Sequence, residues 1–170
     1  MLDPGYEEGG LFLDRSLNQK KVRIYADGAC QGNPGPGGWA TILLMGGWQR
    51  EIYGYDPDTT NNRMEMTAAI VGLASLTEPC SVELFSDSSY LVKAFQQHWL
   101  EQWQRKGWRK PVKNADLWRE LLALTAHHEV KWTLIRGHSG IVHNERCDTL
   151  AKNAISDKAP FHKGPLVPVA

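Results

Sequence analysis

The sequence has no surplus of charge, with 19 Lys and Arg against 19 Asp and Glu. Taken as a whole, that balance argues against a strongly basic nucleic-acid binder. Cysteine is sparse. Cys30, Cys80 and Cys147 are too few and too scattered for a zinc site. An odd number of thiols suits a reducing compartment, so the expected location is the cytoplasm. No apolar run approaches the ~18 residues that cross a bilayer, so no membrane partner is expected. No basic-then-apolar leader opens the chain, and repeats and low-complexity tracts are missing from it. What remains is an ordinary composition, 42% hydrophobic and 22% charged, which excludes a disordered chain, a collagen-like fibre and a disulfide scaffold. A length of 170 residues fits one domain, large enough to fold without a disulfide or metal staple.

Residues 1–19 hold Pro4, three glycines and four acids against one base and show no usable period, so they read as a flexible extension. Residues 158–170 contain Pro160, Pro165 and Pro168 and read as a loose tail. The folded domain is then 20–157. Val22, Ile24 and Ala26 alternate with Arg23 and Tyr25, which predicts a strand ending at Asp27. A Gly/Pro loop over 32–38 leads to strands over 39–45 and 48–55, joined by the Gly46-Gly47 turn. Thr59 to Asn62 offer N-cap candidates for a helix running to about Leu76, and a strand over 82–86 then ends at Asp87. Helix in two pieces is expected over 88–106, and Asn114 or Asp116 caps another running to about His127. A fifth strand over 130–135, a loop over 136–143 and a helix over 144–156 complete the pattern. Three meandering strands followed by alternating helices and strands predict an α/β fold, a five-stranded mixed sheet flanked by helices.

Four acids stand out. Asp27 and Asp87 end two strands, and ligand sites of open α/β sheets lie beyond the carboxyl ends of their strands. Either one alone reads more readily as a turn or cap residue. Glu65 is the only acid of its helix, and Ala69, Gly72 and Leu76 share its face. A carboxylate on a packed face is costly unless it is paired or binds a metal; the helix dipole explains its place along the helix but not its side. Asp148 repeats the pattern, with Ala151 and Ile155 on its face. Clustered carboxylates repel one another unless a cation neutralises them. All-oxygen ligands suit Mg²⁺ first and Mn²⁺ next, and two such ions about 4 Å apart suit in-line phosphoryl displacement.

Each acid sits in a local motif: Tyr25-Ala26-Asp27-Gly28-Ala29-Cys30, Thr60-Asn61-Asn62-Arg63-Met64-Glu65, Ser86-Asp87-Ser88 and Asn144-Glu145-Arg146-Cys147-Asp148. With these, and with the Gly32–Trp39 loop, Gly107-Trp108, Lys113-Asn114, Asp116-Leu117-Trp118 and Gly137-His138, the chain resembles type 1 ribonuclease H over about residues 22–154. The resemblance implies the ribonuclease H-like fold. It also implies a monomeric, Mg²⁺- or Mn²⁺-dependent endonuclease that hydrolyses the RNA strand of RNA–DNA hybrids by two-metal-ion catalysis, leaving 5′-phosphate and 3′-hydroxyl ends. It assigns the metal to Asp27, Glu65, Asp87 and Asp148, and proton transfer with product release to His138. Gly137 and Gly140 flank that histidine, which suits a mobile loop, and an ordinary pKa near 6.5 suits proton transfer around neutrality. Glu145 matches a family acid near the metal site. Gly28, Ala29, Cys30, Asn33 and Asn61 match positions that read the 2′-hydroxyls distinguishing RNA from DNA. Thr60 and Asn33 match residues that hold a phosphate of the DNA strand.

Residues 93–113 carry a net charge of +5 and match the family's basic protrusion. There Arg105 and Lys106 would bind phosphates, with Trp99, Trp103 and Trp108 interleaved for stacking. Trp103 and Trp108 read equally as core, and Trp118, spaced with Leu121 and Leu122, reads as core. Ser89 stands where many relatives carry a Gln, Ile141 and Val142 are unusual in their loop, and the stretch from Gly107 to Lys113 is short. A DNA-cutting nuclease of the same fold and a non-catalytic hybrid-binding module are the alternatives. Four intact acids disfavour the second. The neutral total is a sum of separated parts, with an acidic extension of net −3 and a remainder of +3 that contains the basic segment.

Overall fold

The computed structural model describes residues 19–108 and 112–169. The expectations for residues 1–18, and for Arg109 and Lys110 in the basic segment, lie outside the described residues. Five long strands form the sheet: β1 (Lys20–Cys30), β2 (Gly35–Met45), β3 (Trp48–Thr59), β4 (Cys80–Ser86) and β5 (Glu129–Leu134). Among the described residues five helices are interspersed: α1 (Asn61–Ala74), α2 (Ser89–Gln96), α3 (Trp99–Arg105), α4 (Ala115–Thr125) and α5 (Val142–Asp157). The long strands lie in the order β5-β4-β1-β2-β3. β1, β2 and β3 form an antiparallel meander, whereas β4 runs parallel to both β1 and β5. The sheet is therefore mixed, as the order of elements predicts.

Alternation along β1 feeds two cores. Val22, Ile24 and Ala26 join Met66, Leu73, Leu91, Trp118 and Leu121 on one side of the sheet. Tyr25, with Ala40, Ile42 and Leu44 of β2, packs on Cys147, Leu150 and Ala151 of α5 on the other. A one-residue slip in this register would exchange the two sets and expose both. β1 and β4 are parallel neighbours, so their carboxyl ends emerge side by side, carrying Asp27 and Asp87 to the same end of the sheet.

The C-terminal stretch departs from the loose tail that its prolines suggest. Two short strands, β6 (His162–Lys163) and β7 (Val167–Pro168), pair with the outer edge of β3. Gly164 donates its N–H to the Glu51 carbonyl at 2.9 Å, Val169 donates to Gly47 at 2.8 Å, and the Phe161 ring stacks obliquely on Trp39. Proline is tolerated on an edge strand, where no donor is needed on its outer side. Among the described residues the sheet thus has seven strands rather than the five expected.

Residues 99–108 form a handle whose root is aromatic. Trp103 lies 6.5 Å from Trp99, 6.2 Å from Trp108 and 5.9 Å from fully buried Trp118 between ring centres. Trp99, Trp103 and Trp108 are half-buried against the main core, whereas Arg105 and Lys106 are exposed. The rings anchor the handle and the cations face solvent.

Candidate active site

Asp27, Glu65 and Asp87 converge from three different elements. Asp27 lies near the end of β1, Asp87 follows β4, and Glu65 stands on the second turn of α1, whose N-cap is Thr60. The Thr60 hydroxyl accepts from the Arg63 N–H at 3.3 Å. Gly28 allows the approach. A Cβ at that position would lie 2.5 Å from the Glu65 backbone nitrogen, so any side chain would push α1, and Glu65 with it, away from β1. The result is one carboxylate oxygen from each of the three acids, all within 4.8 Å of one another.

Asp148 and His138 line the same cleft, together with Gly28, Asn61 and Tyr90. Asp148 stands outside the tight trio, and its Oδ2 accepts from Lys152 Nζ at 2.8 Å, one helical turn on. His138 is exposed on the loop between β5 and α5, in a left-handed conformation with φ 55°.

The trio is electrostatically strained. Asp27 and Glu65 are each only 4% exposed. Burial, and next the neighbouring Asp87 charge, push the Asp27 carboxyl up to about 7, opposed by hydrogen bonding with Glu65 and by the Gly28 N–H at 2.9 Å. Glu65 is driven well above the ordinary carboxylate range by burial first and by Asp27 and Asp87 after it. Asp87 is raised by burial and by Asp148, and eased by the nearby His138 charge. Glu65 Oε2 is buried without a hydrogen-bond partner, a cost of about 1–3 kcal/mol for a polar atom. Three converging carboxylates, one with an orphaned oxygen, suit a hard divalent cation.

The other residues singled out in the sequence lie around this centre or away from it. The Asn33 side-chain oxygen accepts from the Asn61 N–H at 2.9 Å, joining the Gly/Pro loop to the start of α1. The Cys30 thiol points at the Thr59 and Gly35 carbonyls, and Ala29 is half-buried at the end of β1. Trp99, Trp103, Arg105, Lys106 and Trp108 belong to the handle and do not line the cleft.

One network was not foreseen. Tyr90 Oη accepts from Asn114 Nδ2 at 3.1 Å and from Trp118 Nε1 at 3.2 Å. Arg63 makes two bonds to the Asp116 carboxylate and a third to Asn114 Oδ1. Through this network α1 and the rim of the cleft are tied to α4. Tyr90 follows Asp87 by three residues, so its place on the cleft side of α2 was within reach of helical spacing.

A mixed α/β sheet that gathers acids from a strand end, an adjacent strand end and a facing helix defines an acid-cluster hydrolase domain. The RNase H family model matches residues 19–156. The chain is 55% identical to a ribonuclease H of Moorella thermoacetica over 141 residues, covering 81% of this chain and 93% of the relative. It is also 55% identical to a ribonuclease H of Chlorobium luteolum over 144 residues, covering 82% and 99%. Among solved structures, LC9-RNase H1, a type 1 RNase H with the type 2 active-site motif, superposes with a TM-score of 0.78 at 28% identity, covering 89% of this chain and 79% of that one. RNase H1 from the halophilic archaeon Halobacterium salinarum superposes at 0.57 with 27% identity, covering 82% and 99%. The chain belongs to the RNase H family.

Proposed function

We propose that this protein hydrolyses the RNA strand of RNA–DNA hybrids, leaving 5′-phosphate and 3′-hydroxyl ends. The observation that carries the reading is the trio of carboxylates within 4.8 Å, in a cleft that also holds Asp148 and His138. Asp27, Glu65, Asp87 and Asp148 would hold divalent cations, Mg²⁺ by preference and Mn²⁺ as a substitute. Bound there, a pair of such ions supplies the charge that activates water and stabilises the leaving oxygen.

The remaining roles belong to the chain itself. His138 exchanges protons at the rim of the cleft and helps release the product. Backbone groups of Gly28, Ala29 and Cys30, with the side chains of Asn33 and Asn61, read the RNA 2′-hydroxyls. Thr60 and Asn33 hold a phosphate of the DNA strand. Arg105 and Lys106 grip the same strand by counterion release; Trp99, Trp103 and Trp108 contribute what ring surface the handle leaves open. The protein acts as a monomer in the cytoplasm.

The test is a substrate panel of end-labelled hybrid, duplex DNA and single-stranded RNA, with Mg²⁺, Mn²⁺ or chelator. Cleavage of the RNA in the hybrid alone, dependent on either ion and abolished in Asp87→Asn while hybrid binding persists, is the expected result. An intact hybrid with both ions overturns the reading, and cleavage of duplex DNA favours the DNA-nuclease alternative.

A further inference from the structure

Glu145 lies on α5 three residues before Asp148 and is not among the acids that line the cleft. Its carboxylate instead reaches backward along the chain, and Oε1 accepts the N–H of Gly140 at 3.1 Å. Gly140 closes the loop that carries His138, and it sits at φ +83°, a region that glycine enters without strain. Nothing lies within 4 Å of where its Cβ would be. Gly140 is thus required by backbone conformation rather than by space, and that conformation aims its N–H at α5.

The front of the same loop is held as well, by the Ile135 N–H donating to the Ser86 carbonyl at 3.0 Å. The loop then passes close to Asp87, and a Cβ on Gly137 would lie 2.8 Å from Asp87 Oδ2. Between these two anchors His138 stands in the left-handed region at φ 55°, where a non-glycine residue is uncommon. Glu145 also lies three residues before Asp148 on α5, so one helix carries both the rear anchor and an acid of the cleft. α5 has no side-chain cap at Ile141; the Glu145 contact stands in its place and reaches past the helix end into the loop.

We propose that Glu145 is a positioning residue for the reaction: by latching Gly140 to α5 it fixes where His138 stands relative to Asp87 and Asp148. The proposal rests on the role given to His138 above. A helix cap alone would affect stability; a latch also affects turnover through His138.

The experiment compares Glu145→Ala, Glu145→Gln, His138→Ala and the double variant Glu145→Ala/His138→Ala on hybrid with Mg²⁺. Assays run below the melting temperature of the weakest variant, and amide exchange at Gly140 is followed in parallel. Glu145→Ala should lower kcat about five- to tenfold with KM within about twofold, the pattern of a lost transition-state alignment. It should also shift the acid or base limb of the pH–kcat profile and speed exchange at Gly140. Glu145→Gln keeps an acceptor oxygen at the same reach and should restore both rate and protection. In the His138→Ala background Glu145→Ala should cost no further rate. The latch is overturned if Glu145→Ala changes only melting temperature, if Gln harms as much as Ala, or if the double variant loses rate beyond His138→Ala. A fully active His138→Ala overturns the role of His138 itself and the latch with it.

Discussion

Gly137 and Asp87 are in such close apposition that a single methyl group at 137 would stand 2.8 Å from Asp87 Oδ2. The loop and the carboxylate can keep their places only with glycine there. Gly137→Ala is expected to lower kcat by about tenfold, since displacements near 1 Å at a reacting centre carry losses of that order or more. Melting temperature should change little, because the loop is exposed. Steady-state kinetics beside thermal melts check this, and full activity in the variant would mean that Asp87 has freedom the geometry denies it.

The buried acids couple stability to pH. Asp27 is pushed up to about 7, and Glu65 is raised well above the ordinary carboxylate range, each chiefly by burial. A carboxyl raised in the folded state contributes most below its ordinary value, and the contribution is lost as pH rises through its folded value. With chelator present, melting temperature should therefore fall between about pH 4 and pH 8. Mg²⁺ or Mn²⁺ at pH 8 should restore several degrees by binding the folded form. A flat pH response with no gain from either ion would show that the trio is not under charge strain.

The edge of β3 is covered by β6 and β7 through main-chain hydrogen bonds. Removing residues 158–170 would bare that edge, along with Trp39 where Phe161 now packs. Exposed edges template intermolecular pairing. The truncated protein should melt lower and self-associate in size-exclusion chromatography, with catalytic residues untouched. A truncated protein that stays monomeric and equally stable would show that the strap is passive.

The handle predicts a salt response. Arg105 and Lys106 are exposed on it, so replacing both with Ala should weaken hybrid binding at low salt and flatten the dependence of log Kd on log salt by about one unit per lost phosphate contact. Trp103→Ala should behave differently, lowering stability because its ring packs on Trp118. An unchanged salt slope in the Arg105/Lys106 variant would move the grip elsewhere.

The acids were legible because each broke a local rule. Glu65 shares its helix face with Ala69, Gly72 and Leu76, and burial penalties make such a residue conspicuous in one dimension. β1 was legible for the opposite reason, since the alternation of Val22, Ile24 and Ala26 with Arg23 and Tyr25 obeys the rule. β6 and β7 were not legible. Two-residue strands have no period, and Pro160, Pro165 and Pro168 look like breakers until an edge is there to accept them. The Tyr90–Asn114–Trp118 cluster and the Glu145–Gly140 contact were hidden because hydrogen bonds depend on where side chains meet in space. The tryptophans of the handle were ambiguous because one ring can offer one face to the core and the other to a ligand; the structure gives the inner face to Trp118.

The tilted indole cluster at the base of the handle makes it a cantilever. Its free end carries Arg105 and Lys106, and its fixed end is built into the main core through Trp103 and Trp118. A cantilever is as stiff as its root, so a cavity opened beside Trp118 would be felt as slack at the charged tip, far from the substitution and without any change in the charges themselves.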